Sequence, residues 1–152
     1  MLRNIFIFLL VVLGTFIIDQ NIKFLFVEGF YWESSCISLE LHYNRGVAFS
    51  MFAFLGENLK WIQTLLIVAI IGYIFYEGYL KEFPFPLGLL VGGAIGNLYD
   101  RFIHEGVVDY IAWHCGFEFA IFNFADVMIN IGVISILILS YISSKKASKK
   151  SS

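Results

Sequence analysis

Charge is scarce in this sequence: Asp, Glu, Lys and Arg make up 14% of its 152 residues, against about a quarter in soluble domains. With 59% of the residues hydrophobic, that scarcity excludes an ordinary water-facing surface. The formal net charge of −2 leaves no basic footprint, so no nucleic-acid partner is expected. Cysteine is nearly absent. Cys36 and Cys115 are too few and too far apart for a zinc motif, and His42, His104 and His114 show no HExxH spacing. No metal and no cofactor are expected, and a metallopeptidase is disfavoured. A disulfide between the cysteines would require both to face an oxidising compartment, and two small packing residues are the simpler expectation.

What the chain does have is long apolar runs. They cover about Ile5 to Ile18, Trp61 to Tyr76, Phe83 to Tyr99 and Val127 to Ile142. With their polar flanks each reaches the roughly 17 to 25 residues that a membrane helix needs. We therefore expect one integral membrane domain over 1–152, with spans at about 5–23, 59–76, 84–101 and 125–142. The outer segments are then about 24–58 and 102–124, and 143–152 is a cytoplasmic, disordered tail. The first run follows Arg3 but ends in Asp19-Gln20-Asn21-Ile22-Lys23. With no small-residue cleavage pattern there, it reads as a retained span rather than a signal peptide. Arg3, Lys81, Lys145, Lys146, Lys149 and Lys150 fall on one side of this arrangement. Arg45 and Arg101 fall on the other, among six glutamates, with Lys23 and Lys60 at span ends. The bias in basic residues predicts that both termini are cytoplasmic.

The fold class follows: a mainly α membrane protein with four transmembrane helices, a small extracytoplasmic β-sheet and a short interfacial helix. From Ile37 to Tyr43, apolar Ile37, Leu39, Leu41 and Tyr43 alternate with Ser38, Glu40 and His42, the period of a strand with one buried face. Phe117, Phe119 and Ile121 suggest a second strand, and Ser50 to Glu57 the interfacial helix. Gly88, Gly92 and Gly96 recur at four-residue steps, which lets helix backbones approach closely in lipid.

The polar residues gather at the outer ends of spans and in the outer loops. Asp19 and Lys23 are four apart on one helix face. Asn44-Arg45-Gly46 follows the predicted strand and has the composition of a turn, with Gly46 free to take a positive backbone dihedral. Asn97, Asp100 and Arg101 share a face at the end of the third span, where Arg101 could neutralise Asp100 or membrane-surface phosphates. Asn123 and Asp126 open the fourth span, where a carboxylate suits the helix N-terminus. Asp109, a loop residue between Val108 and Tyr110, has no capping role to explain it. Ionisable residues at membrane depth are functional candidates by default, and Asp109 with Asp126 makes a candidate dyad.

Two carboxylates suffice for amide hydrolysis without a metal or a nucleophilic side chain. One activates water while the other, still protonated, serves the carbonyl or the leaving amine. Close carboxylates do not both ionise easily, so the pair shares a proton. A transporter would be expected to hold its polar groups near the bilayer midplane, whereas these span centres are apolar. An assembly factor presenting the sheet would have no use for the paired carboxylates.

The ordered motifs resemble those of the lipoprotein signal peptidase family, signal peptidase II, over nearly the whole chain. They are Asp19-Gln20-x-x-Lys23, Asn44-x-Gly46-x-Ala48-Phe49-Ser50, and Gly92-Gly93-Ala94-x-Gly96-Asn97-x-x-Asp100-Arg101. Gly106-x-Val108-Asp109-Tyr110 and Phe122-Asn123-x-Ala125-Asp126 complete the set. The resemblance implies a bacterial inner-membrane aspartic endopeptidase. Such an enzyme cuts prolipoproteins on the N-terminal side of a diacylglyceryl-modified cysteine, at the extracytoplasmic face. It implies Asp109 and Asp126 as catalytic residues. Asp19, Lys23, Asn44, Gly46, Asn97, Arg101 and Asn123 would hold the dyad and substrate, while a loop with Phe49 closes over the peptide. Membrane lipids and the inhibitor globomycin are the implied further partners, and nothing demands more than a monomer. Val127 departs from the family's usual hydroxyl residue and Val47 from its usual alanine. The first of these removes a potential hydrogen-bond donor beside Asp126.

Overall fold

The computed structural model describes residues 1–46, 51, 53–104, 106–117 and 119–150. Four long helices carry the architecture: α1 (Leu2–Val27), α2 (Asn58–Glu77), α3 (Pro84–Ile103) and α4 (Phe124–Lys150). Three are long and apolar enough to cross a membrane: α1, α2 and the Phe124–Lys146 stretch of α4. Their outward residues explain why. Leu9, Leu13 and Ile17 of α1, Leu65 and Leu66 of α2, and Leu137 and Ile138 of α4 are all exposed. A helix that is apolar all round requires burial or lipid.

α3 is different in kind, because the others pack around it. Its glycines set the approach distances, as their spacing predicted. A Cβ at Gly88 would stand 2.7 Å from Val11 Cβ, and one at Gly92 would stand 2.8 Å from Thr15 Cβ, both on α1. Gly93 makes the same allowance for α4 at Ala125 and Ile129. The buried cluster of Phe8, Ile74, Leu80, Phe83, Leu87 and Val91 closes the opposite end of the molecule from the polar residues. There α2 ends at Gly78 in the left-handed conformation (φ 72°). Pro84 then starts α3, where its missing N–H costs nothing. Asn4 Nδ2 ties the start of α1 to this connection through the carbonyls of Leu80 (3.1 Å) and Lys81 (3.0 Å).

At the polar end lies a three-stranded antiparallel sheet of β1 (Trp32–Glu33), β2 (Ile37–Asn44) and β3 (Val107–Trp113), in that order. β2 falls where the alternation predicted a strand, but its burial does not follow the apolar face. Ser38 is buried while Tyr43 is 41% exposed. Ser38 Oγ is covered by His114 Nε2 at 2.9 Å and donates to Glu40 at 3.1 Å. The partner strand is not the 117–121 alternation. It is β3, pairing His42 with Asp109 and Tyr43 with Val108, and among the described residues the later segment adds an isolated bridge at Phe122. β3 is covered on both faces from Val107 to Tyr110, so no polar alternation marks it.

Three other expectations differ. Cys36 and Cys115 form a disulfide (Cα–Cα 4.7 Å) beside the Ile37–Trp113 pair that ends the sheet. Residues 143–150 continue α4 rather than forming a disordered tail. A helix nucleated over a membrane-length segment propagates readily, at one hydrogen bond per residue. Within 50–57, where a short interfacial helix is expected, the described residues hold a 3-10 turn at Ala53–Leu55. Residues 47–50 and 52, including Phe49 and Ser50, lie outside the described residues.

Candidate active site

The site is assembled where α4 begins. The first three N–H groups of a helix have no partner within it, and here each has a partner from elsewhere. Phe124 N donates to Tyr110 Oη (3.1 Å), Ala125 N to Asp19 Oδ1 (3.0 Å) and Asp126 N to Asn123 Oδ1 (2.9 Å). Asp126 Oδ2 in return accepts the Asn123 N–H at 3.2 Å. Asn123 and Asp126 thus close a reciprocal capping box, so the capping reading of Asp126 holds. Its other oxygen, Oδ1, accepts Asn97 Nδ2 at 2.8 Å. Both carboxylate oxygens are bonded without any contribution from residue 127.

Asp109 comes from β3, a strand rather than the loop expected. Its side chain is 2% exposed and is held by two amides, Asn44 Nδ2 on Oδ2 (2.9 Å) and Asn123 Nδ2 on Oδ1 (2.7 Å). Asn123 therefore bonds both aspartates, one through its side chain and one through its backbone. Burial pushes the Asp109 carboxyl up to about 6. The two amides oppose that rise and the negative charge of Asp126 adds to it. Both aspartates line one cleft of about 310 Å³, together with Asn44, Asn97 and Arg101. A larger cavity of about 470 Å³ adjoins it at Arg101 and is edged by Arg45, Lys60 and His104, but neither aspartate lines it.

Beneath the aspartates sits a buried ion cluster. Lys23 Nζ reaches Asp19 Oδ2 (2.8 Å), Asp100 Oδ2 (2.7 Å) and Asn97 Oδ1 (2.9 Å), which matches its three N–H donors. The two carboxylates also accept backbone N–H groups. Asp19 takes that of Ala125, and Asp100 takes that of Val108 at 3.1 Å. Each is the residue immediately before a cleft aspartate. One lysine thereby fixes the backbone on which both cleft carboxylates stand. Arg101 does not pair with Asp100. Its guanidinium donates to the carbonyls of Asn97 (3.2 Å) and Gly46, while the Gly46 N–H closes a turn on Asn44 Oδ1 (3.0 Å).

All nine candidate residues, Asp19, Lys23, Asn44, Gly46, Asn97, Arg101, Asp109, Asn123 and Asp126, thus join one bonded network. Sequence reading passed over Asp100 as a support, together with Gln20, whose Nε2 donates to Asp100 Oδ1 (2.9 Å) and Asp19 Oδ2 (3.1 Å). Tyr110, stacked on Phe26 at 4.1 Å, was also missed. Asp100 and Gln20 stand inside quoted motifs, so position was the available signal. No cluster of metal-ligating side chains occurs among the described residues.

The model of the family described as signal peptidase (SPase) II matches residues 11–142. This chain belongs to the signal peptidase II family. The lipoprotein signal peptidase of a Sulfurovum species is 64% identical, over 96% of this chain and 100% of its own length. That of Sulfurimonas denitrificans is 57% identical over 91% and 90%, and that of Helicobacter pylori 43% over 93% of each. A solved bacterial membrane enzyme superposes with a TM-score of 0.77 at 28% identity, covering 91% of this chain and 90% of its own. As a family member the chain is a peptidase, and the three apolar helices make it a multi-pass membrane protein.

Proposed function

We propose that this signal peptidase II family member removes the signal peptide from diacylglyceryl-modified prolipoproteins, cutting N-terminal to the lipidated cysteine with Asp109 and Asp126 as its catalytic dyad. The observation that carries the reading is the double role of Asn123, which bonds two carboxylates lining a single cleft. In the reaction the charged carboxylate takes a proton from water, whose oxygen attacks the scissile carbonyl carbon. The protonated carboxyl donates to the carbonyl oxygen as it gains charge. Collapse of the tetrahedral intermediate then breaks the C–N bond, and a proton passes to the leaving amine. Asp109, which holds its proton up to about pH 6, suits the donating role in a shared-proton pair.

In this reading α3 is the fourth span, its 20 residues giving about 30 Å of helix. Both termini face the cytoplasm of a bacterium, and the sheet and cleft lie at the outer face of the inner membrane. The Cys36–Cys115 disulfide beside the sheet supports that side, since disulfides persist in oxidising compartments. The basic residues on the opposing side weaken as counter-arguments. Lys23 is consumed by two carboxylates and Lys60 by Glu57. The substrate's acyl chains remain in lipid while its peptide enters the cleft as a monomeric enzyme's substrate, and globomycin occupies the same cleft.

The deciding experiment is cleavage of a synthetic lipopeptide by purified Asp109→Asn and Asp126→Asn variants, beside its unlipidated twin. Each substitution is expected to abolish cleavage while leaving the protein inserted and folded. Near-normal turnover by either variant would remove that residue from catalysis.

A further inference from the structure

Gln63 is the one cleft-lining residue that α2 supplies, and it has no role in the network described above. Its Oε1 is buried, yet among the described residues it has no hydrogen-bond partner. The cleft's other polar side chains each make a bond, although Arg101 Nε, a donor, has no partner among the described residues. Asn44 bonds Asp109, Asn97 bonds Asp126, Asn130 bonds the Asp126 carbonyl at 2.9 Å, and Arg101 bonds two carbonyls. The neighbours of Gln63 on α2 are served as well, Thr64 by the Lys60 carbonyl (2.7 Å) and Lys60 by Glu57. A buried polar atom left unpaired destabilises a fold. Nothing in the packing of α2 calls for an amide here, since Trp61, Ile62, Leu65 and Leu66 around it are exposed apolar residues.

We infer that Gln63 is a substrate-binding residue, its Oε1 accepting a backbone N–H of the peptide that lies in the cleft, close to the scissile bond. An extended peptide cannot satisfy its own N–H groups, and in a narrow cleft water cannot satisfy all of them. An unpaired acceptor carried by a residue that lines that space meets the need once the peptide settles against it, and because the contact is to backbone it is indifferent to the signal peptide's side chains. The inference rests on the dyad reading only for its placement near the cut bond.

The test uses purified full-length protein, Gln63→Met and Gln63→Leu, and a lipopeptide series in which each amide near the cleavage site is replaced in turn by an ester. Both variants are expected to melt no lower than wild type, because an unpaired acceptor has been removed. Their kcat/KM should fall about tenfold, mainly through KM, as for an interaction made in ground and transition state alike. One ester should cost wild type about tenfold and cost the variants nothing further. Unchanged kcat/KM in the variants, or ester losses equal in wild type and variants at every position, would overturn the proposal. Failure of the dyad reading shows separately, in cleavage retained by Asp109→Asn, and leaves the ester comparison interpretable.

Discussion

At Asp109, burial and the nearby negative charge of Asp126 work against ionisation, while two amides supply hydrogen bonds that favour it. Its carboxyl is raised from the ordinary 3.8 to about 6, so the folded protein binds this proton more tightly than the unfolded chain. The stabilisation is complete below about pH 4 and is lost as pH rises through about 6. It amounts to at most about 3 kcal/mol at the usual conversion. Melting of detergent-solubilised wild type should therefore decline across that window relative to Asp109→Asn, and parallel curves would refute the shift. Activity should carry the same signature. In the free enzyme, kcat/KM for the lipopeptide is expected to fall on the alkaline side of about pH 6, with kcat holding to higher pH once peptide excludes water from the cleft.

Helices α1 and α3 meet at a place where a missing side chain is itself a requirement. A Cβ on Gly96 would collide with the Asp19 carboxylate, which at that point is bonded to Lys23 and Ala125. Gly96→Ala is expected to cost roughly 1–3 kcal/mol through overpacking and to lower turnover by shifting the start of α4. Gly72→Ala on α2, where a Cβ meets nothing within 4 Å, serves as the control. Equal melting temperatures for the two would show that the α1–α3 contact yields more readily than its geometry suggests. The sheet offers a second prediction at this scale. Replacing Cys36 and Cys115 by serine should remove roughly 2–4 kcal/mol of stability. Cleavage at low temperature should persist, because the disulfide closes the far end of β2–β3 from Asn44 and Asp109.

In the molecule as a whole, Lys23 is where three helices and the sheet are joined. It is 2% exposed and contacts two carboxylates with no exposure at all, from α1 and α3, whose remaining bonds hold α4 and β3. Lys23→Met would leave two buried carboxylates without their cation. The expected loss is about 3–5 kcal/mol, measured by thermal unfolding in detergent. A companion Lys23→Met, Asp100→Asn protein should recover part of it, since it leaves one buried carboxylate, Asp19, without a cation instead of two. Failure of the pair to exceed the single variant would place the lysine's contribution in packing instead.

The apolar runs made the long helices legible, because lipid imposes a length and a composition that no turn or soluble helix shares. The order of five polar motifs made the family legible, and with it nine candidate residues that the structure joins in one bonded network. What the amino-acid order alone did not show was β3. Its residues are buried on both faces, so the polar-apolar period that revealed β2 is missing there. Nor did it show the disulfide, or that Asp100 answers Lys23 rather than Arg101. Those pairings join residues 79 and 77 positions apart in the first two instances that matter most, Cys36 with Cys115 and Lys23 with Asp100. Local pattern carries hydropathy and chemical type, whereas the choice among several possible partners for a buried charge or thiol is made only when helices and strands pack.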